Sequence, residues 1–325
     1  MTDLAPRFES AILFDGTGSC NELTPEQVDD WTESDGVLWI DCDQNNRETQ
    51  TWLERDSGVS QVVANILLAG ETRPRTIIQP NGLIIILRGI NMNPGAVPDD
   101  MVAVRIWLQK NRIITSHRRA MLSLDDIRES LKSNNGPKSA GEFLVALTGF
   151  LSGRIGASID NIEQLIEDID SQILSGTVGD LRTTLGVVRR QAASIRRHLS
   201  PQRDALDRLA RTDSNILTTN EVHDVREAGD HVMRQLEDLD LARENALVTQ
   251  EELMNRIAQE QNARMYLLSI VSAVFLPLMF VTGLLGMNVS GLPGTVNPNG
   301  FLYAAIIMAI FGVGMAIYFK LKKWI

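Results

Sequence analysis

The sequence of 325 residues has few cysteines and histidines, the side chains from which many catalytic and zinc sites are built. It holds two cysteines, Cys20 and Cys42, and four histidines. So few cysteines exclude a disulfide framework and favour a reducing compartment. Lys and Arg total 31 against 41 Asp and Glu, a formal net charge of −10. This acidity argues against a nucleic-acid partner, because phosphate neutralisation requires clustered basic side chains.

The most informative absence is that of charge near the end of the chain. No charged side chain lies between Met265 and Phe319. The stretch contains two apolar runs, 266–286 and 301–319, joined by a short connection. At about 1.5 Å per residue, helices of these lengths reach roughly 30 Å, the thickness of a bilayer core. We therefore predict two transmembrane helices; a buried hairpin in a soluble protein is the alternative, which two adjacent runs of this length disfavour.

Basic residues flank the uncharged stretch on both sides, whereas the connection 287–300 has no Lys or Arg. The flanking basic residues are Arg256, Arg264, Lys320, Lys322 and Lys323. By the positive-inside rule, both termini are expected in the cytoplasm and the connection 287–300 outside. Residues 320–325 are then a basic cytoplasmic tail.

Residues 1–139 indicate an α/β domain, because short β-branched runs alternate with turn signals such as Pro80-Asn81-Gly82. The predicted strands are 37–43, 75–79, 82–90, 101–109 and 112–117. Thr24 before Pro25 is a predicted helix N-cap. Ser123, with Asp126 three residues later, is a second one.

After residue 139 the pattern becomes helical. Apolar residues recur every three or four positions from Leu144 to Ile173, as in an amphipathic helix. A second helix is predicted from about Asp180 to Arg211, interrupted or bent near Pro201. These two helices form an acidic helical pair over 140–212.

A third helix is predicted to begin near Asp213 as a stalk, 213–265. No helix breaker separates it from the first apolar run until Pro277. One helix would then run from the stalk into the membrane. A single membrane anchor needs no such length, so several copies packed around a passage are favoured; a long coiled-coil sensor is the alternative.

Acidic side chains are plentiful on the helices before the membrane. Those that could attract cations are Glu163, Glu167, Asp168, Asp170, Glu237, Asp238 and Asp240. A solvated helix face explains them nearly as well. The histidines lack ligand spacing and are interpreted as structural or surface residues, with a zinc site as the alternative. The basic run that contains Arg189, Arg196 and Arg197 is expected to pair with neighbouring acids.

The tripeptide Gly286-Met287-Asn288 stands at the end of the first apolar run, before a short loop and a last run closed by KLKKWI. In this position it resembles the CorA superfamily of divalent-cation transporters, and the resemblance covers essentially the whole chain. It implies an α+β cytoplasmic domain, a long stalk helix and two C-terminal transmembrane helices in a funnel-shaped homopentamer. It also implies a bacterial inner-membrane protein that binds divalent cations and is not an enzyme, with no cofactor besides the transported ion.

The loop after this tripeptide bears on the transported ion. Magnesium-type members usually carry an acidic residue there, and 289–300 has none. Gly291-Leu292-Pro293-Gly294 is similar to an element of the ZntB-type zinc transporters. The resemblance therefore favours Zn²⁺ uptake, with proton coupling as in that branch, and loose selectivity that admits Co²⁺, Ni²⁺ and Cd²⁺. A Mg²⁺/Co²⁺ channel of the same fold is the first alternative, and a membrane-anchored metal sensor without transport is the second.

The resemblance makes Gly286, Met287 and Asn288 the ion entrance, with Asn288 carboxamides offering oxygens to the ion; a helix C-cap is the alternative role of Asn288. The pore face of the first span is then one helical stripe. Its members are Asn262, Met265, Leu268, Ser272, Leu276, Met279 and Gly283. Leu276 and Met279 would form a dry neck, although lipid-facing residues have the same spacing. The uncharged span leaves no intramembrane proton relay, so coupling would need groups outside the bilayer or metal-bound water.

Overall fold

The computed structural model describes residues 7–70, 72–96, 100–175, 180–212, 215–287 and 297–322. The elements within them are β1 (Ser10–Phe14), β2 (Cys20–Glu22), α1 (Pro25–Asp29), β3 (Leu38–Asp43), α2 (Arg47–Arg55), α3 (Gln61–Leu68), β4 (Arg75–Gln79), β5 (Gly82–Ile90), β6 (Met101–Leu108), β7 (Arg112–His117), α4 (Leu122–Lys132), α5 (Ala140–Leu174), α6 (Leu181–Ala210), α7 (Thr219–Leu285) and α8 (Gly300–Leu321). The chain divides into two compact units, Met1–Glu251 and Glu252–Ile325.

All strands of the described residues join one sheet in the order β2-β1-β3-β7-β6-β5-β4. β3 and β7 run parallel, and the other neighbouring pairs are antiparallel. The register places Asp41 beside Thr115 and Asp43 beside His117. Because side chains alternate between the faces of a sheet, these four side chains share one face.

Each face of the sheet is covered by helices. On one face, Leu38, Ile40 and Ile114 join an apolar core with Trp52 of α2 and Leu67 of α3. On the other face, the Trp39 ring lies 4.9 Å from the Phe143 ring of α5, centroid to centroid. The apolar residues of β3 therefore point to both sides of the sheet, because both sides are buried.

One of the two predicted N-caps is found and the other is wrong. Thr24 and Gln27 form a reciprocal capping box at the start of α1. At α4, by contrast, the N-cap is Met121, which makes no side-chain cap hydrogen bond. Ser123 lies inside the first turn with 1% exposure, where its hydroxyl is buried.

α5 and α6 follow the predicted periodicity. α5 buries a residue every three or four positions from Leu144 to Ile173. α6 runs through Pro201, which leaves the carbonyl of Arg197 without its usual helical N–H partner. Leu199 and Leu206 on either side of the proline remain buried, so the packed stripe of α6 continues past it.

α7 begins at Thr219, later than the Asp213 expected from the sequence; Asp213 itself lies outside the described residues. The reason is a second capping box. The backbone N–H of Thr218 donates to Glu221 Oε2 at 2.6 Å, and the N–H of Glu221 donates to Thr218 Oγ1 at 3.3 Å. This exchange satisfies two N–H groups at the helix start and fixes it there.

Glu221 also ties the start of α7 to the start of α5. Its carboxylate accepts a hydrogen bond of 2.5 Å from the hydroxyl of Ser139, the N-cap of α5. The side chain is buried, and it lies so close to Gly141 that a Cβ there would sit 2.1 Å from the Glu221 carboxyl carbon. Any larger residue at position 141 would therefore have to displace the Glu221 carboxylate from its hydrogen bonds.

We predict that Gly141→Ala lowers the free energy of unfolding by about 1–3 kcal/mol, because the added methyl displaces the Glu221 carboxylate. Gly149→Ala on the same helix meets no atom within 4 Å. This control should stabilise the protein by roughly 0.5–1 kcal/mol, the ordinary gain of alanine over glycine in a helix. Thermal unfolding of the purified full chain in detergent measures both. Shifts of the same sign and size would contradict a special constraint at Gly141.

Candidate ion pathway and its charged surroundings

Three helices of the described residues are long and apolar enough to cross a membrane by length and composition, α5, α7 and α8. In the most apolar window of α5, 44% of the residues are buried inside the protein, against 6% in α7 and 0% in α8. α5 therefore places its apolar side chains in the protein's own core. α7 and α8 leave theirs on the surface, as a membrane-spanning pair does.

The apolar part of α7 has one shielded stripe and one open side. The shielded stripe comprises Ile270, Val274, Pro277, Leu278 and Val281. At about 100° per residue, the predicted pore face lies on the opposite side of the helix. The structure places all seven residues of that face on the surface of the chain, from Asn262 to Gly283. Leu276 is 72% and Met279 is 67% exposed.

α8 has the same two-sided character. Its less exposed positions recur every three or four residues along one face, and they are Ala304, Ala305, Met308, Gly312, Met315 and Phe319. The other side carries Ile307, Ile310 and Val313, each more than half exposed. Each of these two apolar helices thus has one shielded stripe and, on its other side, a broad apolar surface that is exposed.

The end of α7 carries the first residues of the predicted ion entrance. The N–H of Gly286 donates to the Thr282 carbonyl at 2.9 Å, and that of Met287 donates to the Leu284 carbonyl at 3.5 Å. A Cβ on Gly286 would lie 3.0 Å from the Thr282 carbonyl oxygen, so the last helical turn itself favours glycine here. Asn288 lies outside the described residues.

The structure brings part of the predicted acidic set together. Glu163 of α5 has its pKa raised, first by partial burial and then by the negative charges of Asp238 of α7, Asp160 and Glu167. Acids from two helices therefore face one another at this point. A divalent cation held there would relieve their repulsion.

The other members of that set are placed differently. Asp240 accepts hydrogen bonds from Arg196 at 2.6 and 3.2 Å, so its charge is paired. Asp168 accepts one from Gln164 at 3.0 Å. Asp170 is half-buried and Glu237 is exposed. In the basic run, Arg196 pairs with an acid as expected, whereas Arg189 donates to the neutral Gln250.

A buried charge network at the ends of β3 and β7 was not visible in the sequence. Asp41 is fully buried; its Oδ1 accepts a hydrogen bond of 2.5 Å from Thr115 Oγ1, and its Oδ2 lies 3.1 Å from His117 Nε2. Arg128 of α4 also contacts Oδ2, and Glu9 Oε2 lies 3.3 Å from His117 Nε2. His117 lies 76 positions and Thr115 lies 74 positions after Asp41 in the chain, so no local sequence pattern predicts the network.

The electrostatics of this network stabilise its charged forms. Burial acts to raise the pKa of Asp41, but His117 and then Arg128 lower it below its ordinary value. Burial acts to lower the pKa of His117, but Asp41 and Glu9 raise it above its ordinary value. Glu9, Asp41 and His117 have metal-ligand spacing, as do the exposed His223, Asp224 and Glu227. Because Arg128 and His117 already neutralise Asp41, we interpret the first group as an ion-pair network.

Comparison with known proteins now identifies the family. Residues 34–323 match the family described as "CorA-like Mg2+ transporter protein". The chain belongs to the CorA-like family. It is 35% identical to the divalent cation transporter CmaX of Pseudomonas aeruginosa over 89% of this chain and 87% of that protein. It is 32% identical to the zinc transport protein ZntB of Pectobacterium carotovorum over 97% of this chain and 95% of that protein.

The fold agrees with a solved structure in the same family. The full-length CmaX structure superimposes with a TM-score of 0.81 at 32% identity, covering 98% of this chain and 99% of that chain. The resemblance drawn from Gly286-Met287-Asn288 is thereby confirmed, and so is the fold class of an α+β domain with a long helix and a C-terminal apolar helix. As a CorA-like protein the chain is a membrane transporter of divalent cations and not an enzyme.

We predict that His117→Asn destabilises the protein most at low pH. A histidine with a raised pKa in the folded state contributes stability that is complete below its unfolded pKa of about 6.5 and is lost as pH rises through the folded pKa. The cost should therefore be on the order of 1–3 kcal/mol near pH 6 and smaller near pH 8.5. Thermal unfolding at the two pH values measures it, with the exposed His223→Asn as control. A cost that does not change with pH would show that His117 acts by packing alone.

Proposed function

We propose that this CorA-like protein is a homopentamer that carries Zn²⁺ into the cytoplasm across the bacterial inner membrane, with Co²⁺, Ni²⁺ and Cd²⁺ as further substrates. The observation that carries the proposal is the open, uncharged side of α7, which no part of the described chain covers. A divalent ion needs such a helix face to be closed into a passage by other copies of the chain. The zinc transport protein and the divalent cation transporter among its relatives support the choice of substrate.

Assembly follows from the two sides of α7. The shielded stripe that includes Ile270 and Val281 leaves the side with Leu276 and Met279 exposed. If copies pack around one axis with that side inward, Asn262, Ser272 and Gly283 of each copy also line the passage, at three successive depths. Five copies are proposed by resemblance to the family. Lipid then contacts the remaining surface of α7 and α8.

Orientation follows from charge. Arg256 and Arg264 precede the apolar part of α7, Lys320 and Lys322 close α8, and 287–300 holds no Lys or Arg. Both termini are therefore placed in the cytoplasm and the entrance outside.

The pathway would pass a hydrated ion. At the entrance, a ring of Asn288 carboxamides supplies neutral oxygens to the ion or its water shell. Leu276 and Met279 then form a narrow apolar neck that opens by wetting. Because no Asp, Glu, His or Lys lies between Met265 and Phe319, any proton that accompanies the ion is bound by metal-bound water or by groups outside the span.

The facing acids Glu163 and Asp238 are proposed to concentrate or sense cations on the cytoplasmic side. Burial, and then repulsion by Asp238, raise the pKa of Glu163, and a bound cation would remove that repulsion. Asp240 contributes less than its neighbours, since Arg196 neutralises it.

Magnesium transport is the second candidate, and the family description favours it. Against it stands the connection 289–300, which has no acidic residue to attract a strongly hydrated ion. A metal sensor without transport would need neither the entrance nor the open face of α7.

The test is metal uptake into liposomes that hold the purified full chain and a zinc-sensitive dye. We expect Zn²⁺ entry that a tenfold excess of Mg²⁺ does not suppress and that an inward proton gradient accelerates. Mg²⁺ flux that ignores pH would replace the zinc proposal by the magnesium one. No flux of either ion under any gradient would favour the sensor.

Two variants belong to the same assay. Asn288→Ala should lower the rate of metal flux at least a hundredfold, while the assembly keeps its size on a size-exclusion column. Asn299→Ala is the matched control in the same connection, because Asn299 makes no side-chain cap hydrogen bond at the start of α8. Normal flux in Asn288→Ala would remove the proposed entrance.

We predict a side-specific reactivity along α7. Ser272→Cys lies on the predicted pore face, whereas Val271→Cys projects about 100° away from it, and both native residues are exposed in the chain. A water-soluble thiol reagent should label Cys at 272 at least tenfold faster than Cys at 271, and Zn²⁺ should slow only the former. Equal rates at the two positions would mean that this face meets lipid.

A further inference from the structure

Sulfur is the one soft ligand atom in the uncharged part of the chain, and it is supplied there by methionine alone. Between Met265 and Phe319 the sequence has neither cysteine nor histidine. The methionines of this part are Met265, Met279, Met287, Met308 and Met315. A metal ion that prefers sulfur could therefore be recognised there only by thioethers.

The structure separates these methionines by helix. Met308 and Met315 of α8 belong to its shielded stripe and are half-buried. Met265 and Met279 of α7, by contrast, are 66% and 67% exposed. The sulfurs of α7 are thus the ones that an ion beside the helix could reach.

Met265 and Met279 lie on one line along α7, with Ser272 midway between them. Seven residues turn a helix by about 700°, so successive members of this line are displaced by only about 20° around the axis. At about 1.5 Å per residue, the two methionines are roughly 21 Å apart along the axis. Both belong to the predicted pore face, and they would meet a passing ion one after the other.

Met279 has surroundings that suit a bound cation, whereas Met265 does not. Met265 directly follows Arg264, whose positive charge repels a cation. Met279 lies well inside the uncharged segment. One turn later on the same face, Gly283 carries no side chain, and a Cβ built there would meet no atom within 4 Å. The Met279 side chain is therefore open toward the proposed entrance.

The chemistry of a thioether selects by softness and by charge. Its sulfur is neutral and polarizable, so it binds a soft ion such as Cu⁺ and is a poor ligand for Mg²⁺, which takes oxygen. No carboxylate or thiolate stands nearby to offset the charge of the ion. Because the cost of removing an ion from water rises steeply with its charge, a monovalent cation is favoured over a divalent one. A leucine at position 279 would fill a similar volume without offering a ligand atom.

We propose that the Met279 side chains of the assembled copies bind a soft monovalent cation of the Cu⁺ type, and that the bound ion blocks the passage of divalent cations. The inference rests on the proposed function, since the sulfurs converge only if α7 of several copies surrounds one axis. Each copy then supplies one thioether. The bound ion lies next to Leu276, in the proposed apolar neck, where its charge repels the next cation.

The first test is the block of zinc entry by Ag⁺, which has the same preference for sulfur and does not change its oxidation state. Liposomes that hold the purified full chain take up radioactive zinc in nitrate buffer, because chloride would precipitate silver. The flux with Ag⁺ is divided by the flux of the same variant without Ag⁺, so that changes in basal flux cancel.

Met279→Leu should raise the Ag⁺ concentration that halves zinc entry at least about tenfold, because it removes every sulfur of the site. Met308→Leu is the matched control, the same change on the shielded stripe of α8, and should stay within about twofold of the native chain. Leu276→Met adds a second set of thioethers in the neck and should lower the half-blocking concentration about tenfold.

The second test measures silver binding directly and needs no flux. The full chain in detergent and nitrate buffer is titrated with Ag⁺ by calorimetry, on a Cys20→Ser background because the half-buried thiol of Cys20 also binds silver. We expect Met279→Leu to lose one silver ion per assembled particle and Met308→Leu to lose none.

The two tests separate this inference from the transport proposal. If Met279→Leu and Met308→Leu have equal half-blocking concentrations and bind equal amounts of silver, the thioether site does not exist, and zinc entry can still be normal. If the native chain binds the extra silver ion but carries no zinc, the site stands and the transport proposal fails. A block that persists in Met279→Leu and disappears in Cys20→Ser would assign silver to the thiol and overturn the inference. Cu⁺ kept reduced by ascorbate is the last arm, and a block by Ag⁺ alone would overturn the assignment to Cu⁺.

Discussion

The constraint on which the rest of the molecule depends is the hydration of a divalent cation. Hydrocarbon offers no oxygen to replace the lost water, so a passage must be enclosed by protein. A backbone in hydrocarbon must also satisfy its own N–H and C=O groups, and only helices and closed barrels do so. α7 and α8 meet the second requirement within one chain. They do not meet the first, because the side of α7 with Leu276 and Met279 remains open.

α7 changes character along its length without changing its secondary structure. In the Met1–Glu251 unit it buries Val225, Val232, Leu239 and Ala246 on one stripe, as an amphipathic helix does. Beyond Met265 every side chain is uncharged, and burial falls to a thin stripe. This change was predictable from the sequence, because charge and periodicity are local properties. α7 starts several residues later than predicted, because the capping box of Thr218 with Glu221 fixes its first turn.

The strands of 1–139 with strong β-branched runs were also predictable, whereas the short β1 and β2 were not. No local sequence pattern could predict which charged residues, far apart in the chain, come into contact. The parallel pairing of β3 and β7 brings Asp41 next to His117, and the antiparallel pairing of β5 and β6 brings Arg105 near Arg88. Sheet order decides such contacts, and sheet order is a global property. The acids of α5 and α7 could be listed from the sequence as candidates, but only the packing distinguishes Glu163, which faces other acids, from Asp240, which is neutralised by Arg196.

The uncharged span has a consequence for selectivity. Zn²⁺ prefers His and Cys ligands, and none stands between Met265 and Phe319, so the span offers zinc neither an imidazole nor a thiolate. Neutral amide oxygens offer similar attraction to all small divalent ions. What differs among the ions is the release of water, which Mg²⁺ gives up reluctantly. The proposed neck of Leu276 and Met279 would therefore discriminate between ions by how readily each sheds or rearranges its hydration shell. Under the proposed function, zinc would be preferred over magnesium by its rate of passage, and any difference in equilibrium affinity would have to come from the charged groups outside the span.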